Sequence, residues 1–211
     1  MSIRQGHYKS RFRQPQPELS GYAEGHGERI WVFHQVRTHQ IVYSHSHVLD
    51  AHKALKQIPF AGKKTRPAKI RKDLWRPLAV LEFPKGMGAV GRSVFAKLRE
   101  FRRRHELEWE DDVYFEMRPD GNRRVLTRQQ RGLKIHEQLP NAVADMAAVL
   151  SGIGKSNKMW LEAPPRKRPQ PRLETRRARA TIFWSNGIFK HHARDWTPNV
   201  IHGAMDDTMK D

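Results

Sequence analysis

Between two prolines, Pro77 and Pro84, the chain reads Leu78-Ala79-Val80-Leu81-Glu82-Phe83. A short, nearly continuous apolar run without alternation suits a central β-strand covered on both faces. Just downstream, Met87, Val90, Val94, Leu98 and Phe101 recur every three or four residues, the spacing of one buried helix face. That predicts a helix over 87–105, with Arg92, Arg99 and Arg103 mostly on its far side and Arg102 and Arg104 beside them. Upstream, Ile30-Trp31-Val32-Phe33-His34-Gln35 and Gln40-Ile41-Val42-Tyr43-Ser44 are β-rich runs whose residues alternate as strand faces do. Joined through residues 36–39, they predict a hairpin. Ser46 then offers an N-cap, and Val48, Ala51, Leu55 and Ile58 keep helical spacing as far as Pro59, predicting a helix over 46–58.

Further along, Leu139, Val143, Met146, Ala147 and Leu150, with Pro140 near the start and Gly152 past the end, mark a helix over 140–151. Residues 113–135 read as a long loop or hairpin. Thr181-Ile182-Phe183-Trp184 reads as one more strand, beyond which Trp196, Val200 and Ile201 could dock a C-terminal piece. The expected fold is therefore α+β. A small mixed sheet (hairpin 30–44, strands 78–83 and 181–184) carries helices at about 46–58, 87–105 and 140–151. The body spans 29–162. An extended basic arm, 1–28, precedes it, and a Pro/Arg-rich segment, 163–180, leads to a C-terminal strand and docking tail, 181–211.

The 211 residues hold 40 Lys+Arg against 22 Asp+Glu, a formal net charge of +18, and no cysteine. Absent cysteine removes disulfide scaffolds, thiol catalysis and cysteine zinc sites together. No apolar run approaches the roughly 18 residues of a membrane span. Residues 29–162 carry 26 basic and 14 acidic side chains, so the excess lies in the folding body rather than in a tail alone. A body that repels itself this strongly calls for a polyanion, nucleic acid before a membrane surface.

The candidate contacts follow the charge. They are Arg11 and Arg13 in the first arm, and Lys63, Lys64, Arg66, Lys69, Arg71 and Lys72 in the connector 61–77. Arg99, Arg102, Arg103 and Arg104 lie on the long helix, and Arg123, Arg124 and Arg128 in the loop after it. Arg166, Lys167, Arg168, Arg172, Arg176, Arg177 and Arg179 crowd the Pro/Arg-rich segment. Such side chains neutralise phosphates, while rings stack on unpaired bases. Trp75, among Arg71, Lys72 and Arg76, fits either a stacking ring or a core anchor. The arm 1–28 is acid-poor at its start and Arg-bearing, as transit peptides are. Gly6, Pro15 and Pro17 spoil an amphipathic helix there and favour an RNA-contacting arm.

No catalytic set, metal site or cofactor site emerges. Gly86-Met87-Gly88-Ala89-Val90-Gly91 has the glycine spacing of a dinucleotide loop, but Pro84 and Lys85 intervene after the strand and no ribose-binding acid follows. It reads as a glycine-rich helix start whose amides meet an RNA phosphate. His45, His47 and His52, or His191 and His192, form no complete ligand set at known spacing. Glu106, Glu108, Glu110, Asp111 and Asp112 lack calcium-loop glycine and read as a solvated turn or as partners for the preceding arginines.

The run from Ile30 to Ser44, followed by Arg71-Lys72-Asp73-Leu74-Trp75-Arg76-Pro77-Leu78-Ala79-Val80-Leu81 and later by Thr181–Trp184 ahead of Trp196, resembles one known family. It is that of the fungal mitochondrial large-ribosomal-subunit protein also known as the mitochondrial homologous recombination protein. The likeness covers about 29–84 and 180–204. It implies a non-enzymatic structural constituent of the mitoribosome in the mitochondrial matrix, with large-subunit rRNA and neighbouring mitoribosomal proteins as partners. It also implies a DNA-binding role in mitochondrial recombination or transcription regulation, which leaves a nuclear location open. The hairpin is similar, too, to the opening of GIY-YIG nuclease domains. Trp31 replaces the first tyrosine of that pattern, Ser44-His45 replace its Ile-Gly, and no arginine or metal-binding glutamate can be placed after Tyr43. Metal-dependent cleavage is not expected.

Overall fold

A computed structural model describes residues 21–59, 66–108, 111–161 and 177–206. Arg11, Arg13, Lys63, Lys64, Arg166, Lys167, Arg168, Arg172 and Arg176 lie outside the described residues, as do Glu110 and most of both extended segments.

The apolar run forms β3 (Trp75–Glu82), the middle of a five-stranded sheet. Its neighbours are β1 (Arg29–Gln35), paired in turn with β2 (Ile41–Ser44), and β6 (Ala180–Trp184), paired with β7 (Val200–Ala204). The order is β2-β1-β3-β6-β7; only β6 and β7 run parallel, so the sheet is mixed. The β1–β3 register shifts between Val32 and Phe33.

Both faces of β3 are covered. On one, Leu78, Leu81, Ile30, Tyr43 and Ile182 meet Val90, Val94 and Leu98 of α2 (Gly88–Leu107) and Val143, Met146 and Leu150 of α5 (Leu139–Leu150). On the other, Val80, Trp31, Phe33 and Val42 meet Leu49, Ala54, Ile58, Ile70 and Trp75. Each such side chain taken from water contributes roughly 1.5–3 kcal/mol, and α2 and α5 are the largest contributors of cover.

Several expected boundaries move. The first helix, α1, is only Ala51–Leu55, because Asp50 and not Ser46 is its cap: the Asp50 carboxylate accepts from Lys53 N–H at 3.0 Å. Ser46 instead accepts from Val48 N–H at 3.2 Å, and Val48 is exposed. The stretch 113–135 contains a real hairpin, β4 (Phe115–Met117) and β5 (Arg123–Val125), after a short α3 (Asp111–Tyr114). It then forms α4 (Arg128–His136). Thr127 and Gln130 make a reciprocal capping box that starts α4. β7 was expected only as a docking tail, and Ala178, assigned to the extended segment, is fully buried.

The end of the first arm is also folded. Residues 26–28 lie across the start of α2, where Gly27 and Gly91 let two backbones touch. A Cβ on Gly91 would come within 1.8 Å of Gly27 O, and one on Gly88 within 2.5 Å of His26 O. Arg92 Nη1 donates to His26 O at 2.8 Å, and Gly86 N–H donates to the Glu28 carboxylate at 2.7 Å. The glycine pattern expected to meet a phosphate thus serves a close protein contact, and the Gly86 amide is already taken.

The β2 edge is finished by side chains. Gln138 Oε1 accepts from Ile41 N–H at 3.0 Å and Arg102 Nη1 donates to Ile41 O at 3.2 Å. Gln57 both accepts from Tyr43 N–H at 3.0 Å and donates to Tyr43 O at 2.7 Å. Backbone groups that would template another strand are thereby used up.

Candidate nucleic-acid interface

Strand alternation in β3 sends Trp75 inward and Arg76 outward. Trp75 is 8% exposed and belongs to the second core. Its burial supports the core-anchor reading, and the little of the ring that stays accessible lines the same groove as Trp31 and Phe33. Arg76 beside it, with Lys72 and Arg29, lines this groove of about 950 Å³ floored by Trp31 and Phe33 and flanked by His45 and His47. Three carboxylates also line it, Glu24, Glu28 and Glu82. Two are engaged within the fold: Glu82 binds Arg29 at 2.8 Å and Glu28 binds the Gly86 amide. Burial holds the His45 imidazole below its ordinary value, so it adds no charge at neutral pH. The outward cations of the groove are therefore Lys72 and Arg76, continued along the preceding segment by exposed Lys69 and Arg71 and half-buried Arg66. Arg71 shares its guanidinium with Asp73 at 2.7 Å.

Along α2, Arg99 and Arg103 are exposed as the periodicity predicts, and Arg99 leans over Phe95 at 5.7 Å. Arg104 is exposed and paired with Glu100 at 2.7 Å. Arg102 must be removed from the surface. It is 7% exposed, bound to Ile41 O, with its Nε 3.3 Å from Glu106. Its role is to close the β2 edge. Burial pushes the Glu106 carboxyl up and the Arg102 charge opposes that rise, so one member of the acidic cluster does partner a preceding arginine. Asp111 pairs instead with a later arginine, Arg123, at 3.3 Å, and Glu116, outside the cluster, pairs with Arg124 at 3.5 Å. Arg128 opens α4, exposed. Arg177 stacks on Trp160 with its guanidinium 4.7 Å from the ring, which makes it a packing group, whereas Arg179 is exposed.

The structure therefore brings Lys72 and Arg76 together at one groove. It leaves Arg99 and Arg103 on α2 and Arg123, Arg124 and Arg128 on the outlying hairpin and helix. The sequence reading did not single out Arg29 or Arg76 as contacts. Alternation beginning at Trp75 is the signal that would have exposed Arg76.

No group of three or more His, Cys, Asp or Glu side chains suited to a metal occurs among the described residues. None of the helices described is long and apolar enough to cross a membrane. Tyr43, which the nuclease likeness would place at a reacting centre, is 1% exposed, and burial drives its hydroxyl pKa far up. A substrate cannot reach it, and it stays protonated.

Comparison with known proteins gives a consistent result. A family model described as transcriptional regulation of mitochondrial recombination matches residues 27–112, from the contact of Gly27 with α2 to the start of α3. The large ribosomal subunit protein mL67 of Neurospora crassa is 41% identical over 207 residues, covering 89% of this chain and 69% of the relative. Its namesake in Schizosaccharomyces pombe is 30% identical over 128 residues, 58% of this chain and 67% of the relative. With identity at that level over most of its length, the chain belongs to the family of the mitoribosomal large-subunit protein mL67.

Proposed function

We infer that the chain is a non-enzymatic structural constituent of the mitochondrial large ribosomal subunit, held on its ribosomal RNA by dispersed phosphate contacts. The observation that carries this is the kinship, over 89% of the chain, with a protein named as a large-subunit component. A net charge of +18, much of it on exposed side chains, supports the RNA part. Lys72 and Arg76 at the groove, Lys69 on the segment before it, and Arg99 and Arg103 on α2 are the described contacts we assign to phosphate. Lys63, Lys64, the first arm and the Pro/Arg-rich segment extend the same charge. The family model's description supports a second reading, in which the same cations bind DNA during mitochondrial recombination or its transcriptional regulation. Phosphate contacts alone do not separate the two polymers. The relatives' names favour the ribosome and carry no nuclear location.

Counterion release gives the test. Each phosphate neutralised contributes about −0.9 on duplex and about −0.7 on single strands to the log–log salt slope. Changing Lys69, Lys72 and Arg76 together to alanine should flatten the slope on large-subunit rRNA by roughly 2–3 and leave the melting temperature unchanged. An unchanged slope would remove the groove from the RNA surface.

A further inference from the structure

The two edges of the sheet are finished differently. At β2 every outward amide and carbonyl of Ile41 and Tyr43 is bonded by Gln138, Arg102 or Gln57. At β7 the ladder geometry shows which groups face out. Ala180 N–H donates to Asn199 O at 3.0 Å and Met205 N–H donates to Trp184 O at 2.8 Å. With Ala180 opposite Val200 and Trp184 opposite Ala204, residues 199, 201, 203 and 205 turn their backbone groups toward β6. His202 and Ala204 therefore turn both amide and carbonyl away from the sheet. The Val200 amide is taken internally by Thr197 O at 3.0 Å. Among the described residues nothing bonds the outward groups of 202 and 204, and Ile201 between the first two outward positions is 52% exposed.

We propose that the β7 edge at His202 and Ala204 receives an extended segment of a neighbouring protein of the large subunit as a sixth strand. This rests on the ribosomal reading, because the subunit supplies the neighbour. Each of the two positions offers one donor and one acceptor, the pattern another strand matches. A phosphate only accepts, so an RNA backbone laid along this edge through its phosphates would leave both carbonyls unmatched, whereas a strand supplies a donor and an acceptor at each position in register. A second copy of the chain brings another +18 against the first. The flanking chemistry describes the incoming strand. Trp196 packs edge-on over His202, centroids 4.8 Å apart, and its Nε1–H donates to Lys190 O at 3.0 Å, so Lys190 lies on the His202 side. A carboxylate suits that side and a β-branched apolar residue suits the side of Ile201.

The test uses large subunits isolated from cells that express the full chain with Ala204→p-benzoylphenylalanine. Irradiation should join position 204 to another polypeptide, at one reproducible peptide. An adduct with rRNA, with residues 207–211 of the same chain, or with nothing on subunits that contain the chain would overturn the proposal. Absence of the chain from the subunit would instead overturn the ribosomal reading on which it rests. In a second measurement, Ala204→Pro and Ala204→Ser each compete with the unaltered chain for incorporation. Proline is accepted on an edge whose amide faces solvent, so the free Pro variant should melt with the unaltered protein. Its share of assembled subunits should fall about tenfold, while the serine variant, which keeps the amide, should hold its share. Equal shares for both would refute the added strand.

Discussion

Gly91→Ala tests how the arm is tied to the body. The new Cβ would stand 1.8 Å from Gly27 O, 2.9 Å from Gly27 C and 3.0 Å from Phe83 Cδ2. Two of those atoms are backbone, so no rotamer change relieves the contact, and the 26–28 segment must lift from α2. Lifting it breaks three hydrogen bonds: Arg92 to His26 O (2.8 Å), Gly86 N–H to the Glu28 carboxylate (2.7 Å) and Phe83 N–H to Glu28 O (2.8 Å). At a net value of about 1 kcal/mol each, they sum to about 3 kcal/mol. The Arg92–Tyr22 contact, 4.5 Å from guanidinium to ring centroid, adds about 0.5–1 kcal/mol. Alanine repays about 1 kcal/mol through helix propensity. The net loss is about 3 kcal/mol, which in a chain of this size lowers the melting temperature by roughly 6–12 °C. Circular dichroism melting measures it, and hydrogen exchange at Phe83 and Gly86 locates it. Gly86→Ala is the comparison. Its φ of +85° is strained for alanine, yet no atom lies within 4 Å of the added Cβ, so the cost should be about 1 kcal/mol. If Gly91→Ala melts within about 2 °C of the unaltered protein, or if the Phe83 amide exchanges no faster, the close approach has been misjudged.

Trp75→Ala should cost about 3–5 kcal/mol of stability, as large core truncations do, with an unchanged salt slope for RNA binding; lower affinity in a protein of unaltered stability would restore the stacking role. Arg102→Ala should cost about 3–5 kcal/mol in urea titration, because Glu106 loses its buried partner and Ile41 O its donor. Arg103→Ala, one residue away and exposed, should stay within about 0.5 kcal/mol; equal costs would deny the edge role. The hydrogen bond from His105 to Asp145, 3.0 Å, raises the imidazole above its ordinary 6.5, against a smaller opposing effect of burial. A raised folded value means the pair stabilises fully below pH 6.5 and loses that contribution as pH climbs through the folded value. His105→Gln should therefore flatten the fall in stability above pH 6.5, and an identical profile in the variant would show that the pair is not coupled to folding.

What could be read in the sequence was local and periodic. The hairpin, the strand around residues 78–83 and α2 announced themselves through alternation or three-four spacing, and the five strands needed only β7 added. β7 was hidden because Val200-Ile201-His202-Gly203-Ala204 neither alternates nor runs apolar, and its parallel mate lies across a crossover. Ser46 reads as the cap of α1, yet Asp50, four residues on, fills that role: its carboxylate accepts from Lys53 N–H, and Leu49 before it packs into the second core. The capping box of α4 was legible at Thr127 and Gln130 but lay in a stretch whose arginines mask any apolar period. Arg102 carried its own warning, since Val90, Val94, Leu98 and Arg102 form a single four-residue series that is buried throughout. Charge counts cannot distinguish an arginine spent on a strand edge from one facing a phosphate, so the outline of the RNA surface needed the fold. The docking of residues 26–28 onto α2 joins glycines more than sixty positions apart, and nothing in their spacing names the partner.

A chain built into the large subunit should behave as an integral component of it. Sedimentation of a mitochondrial lysate at rising salt, followed by immunodetection of the chain, tests this most directly. The chain should comigrate with the large subunit, in stoichiometric amount and at salt that strips loosely bound proteins. Recovery only with mitochondrial DNA, leaving large subunits free of the chain, would contradict it.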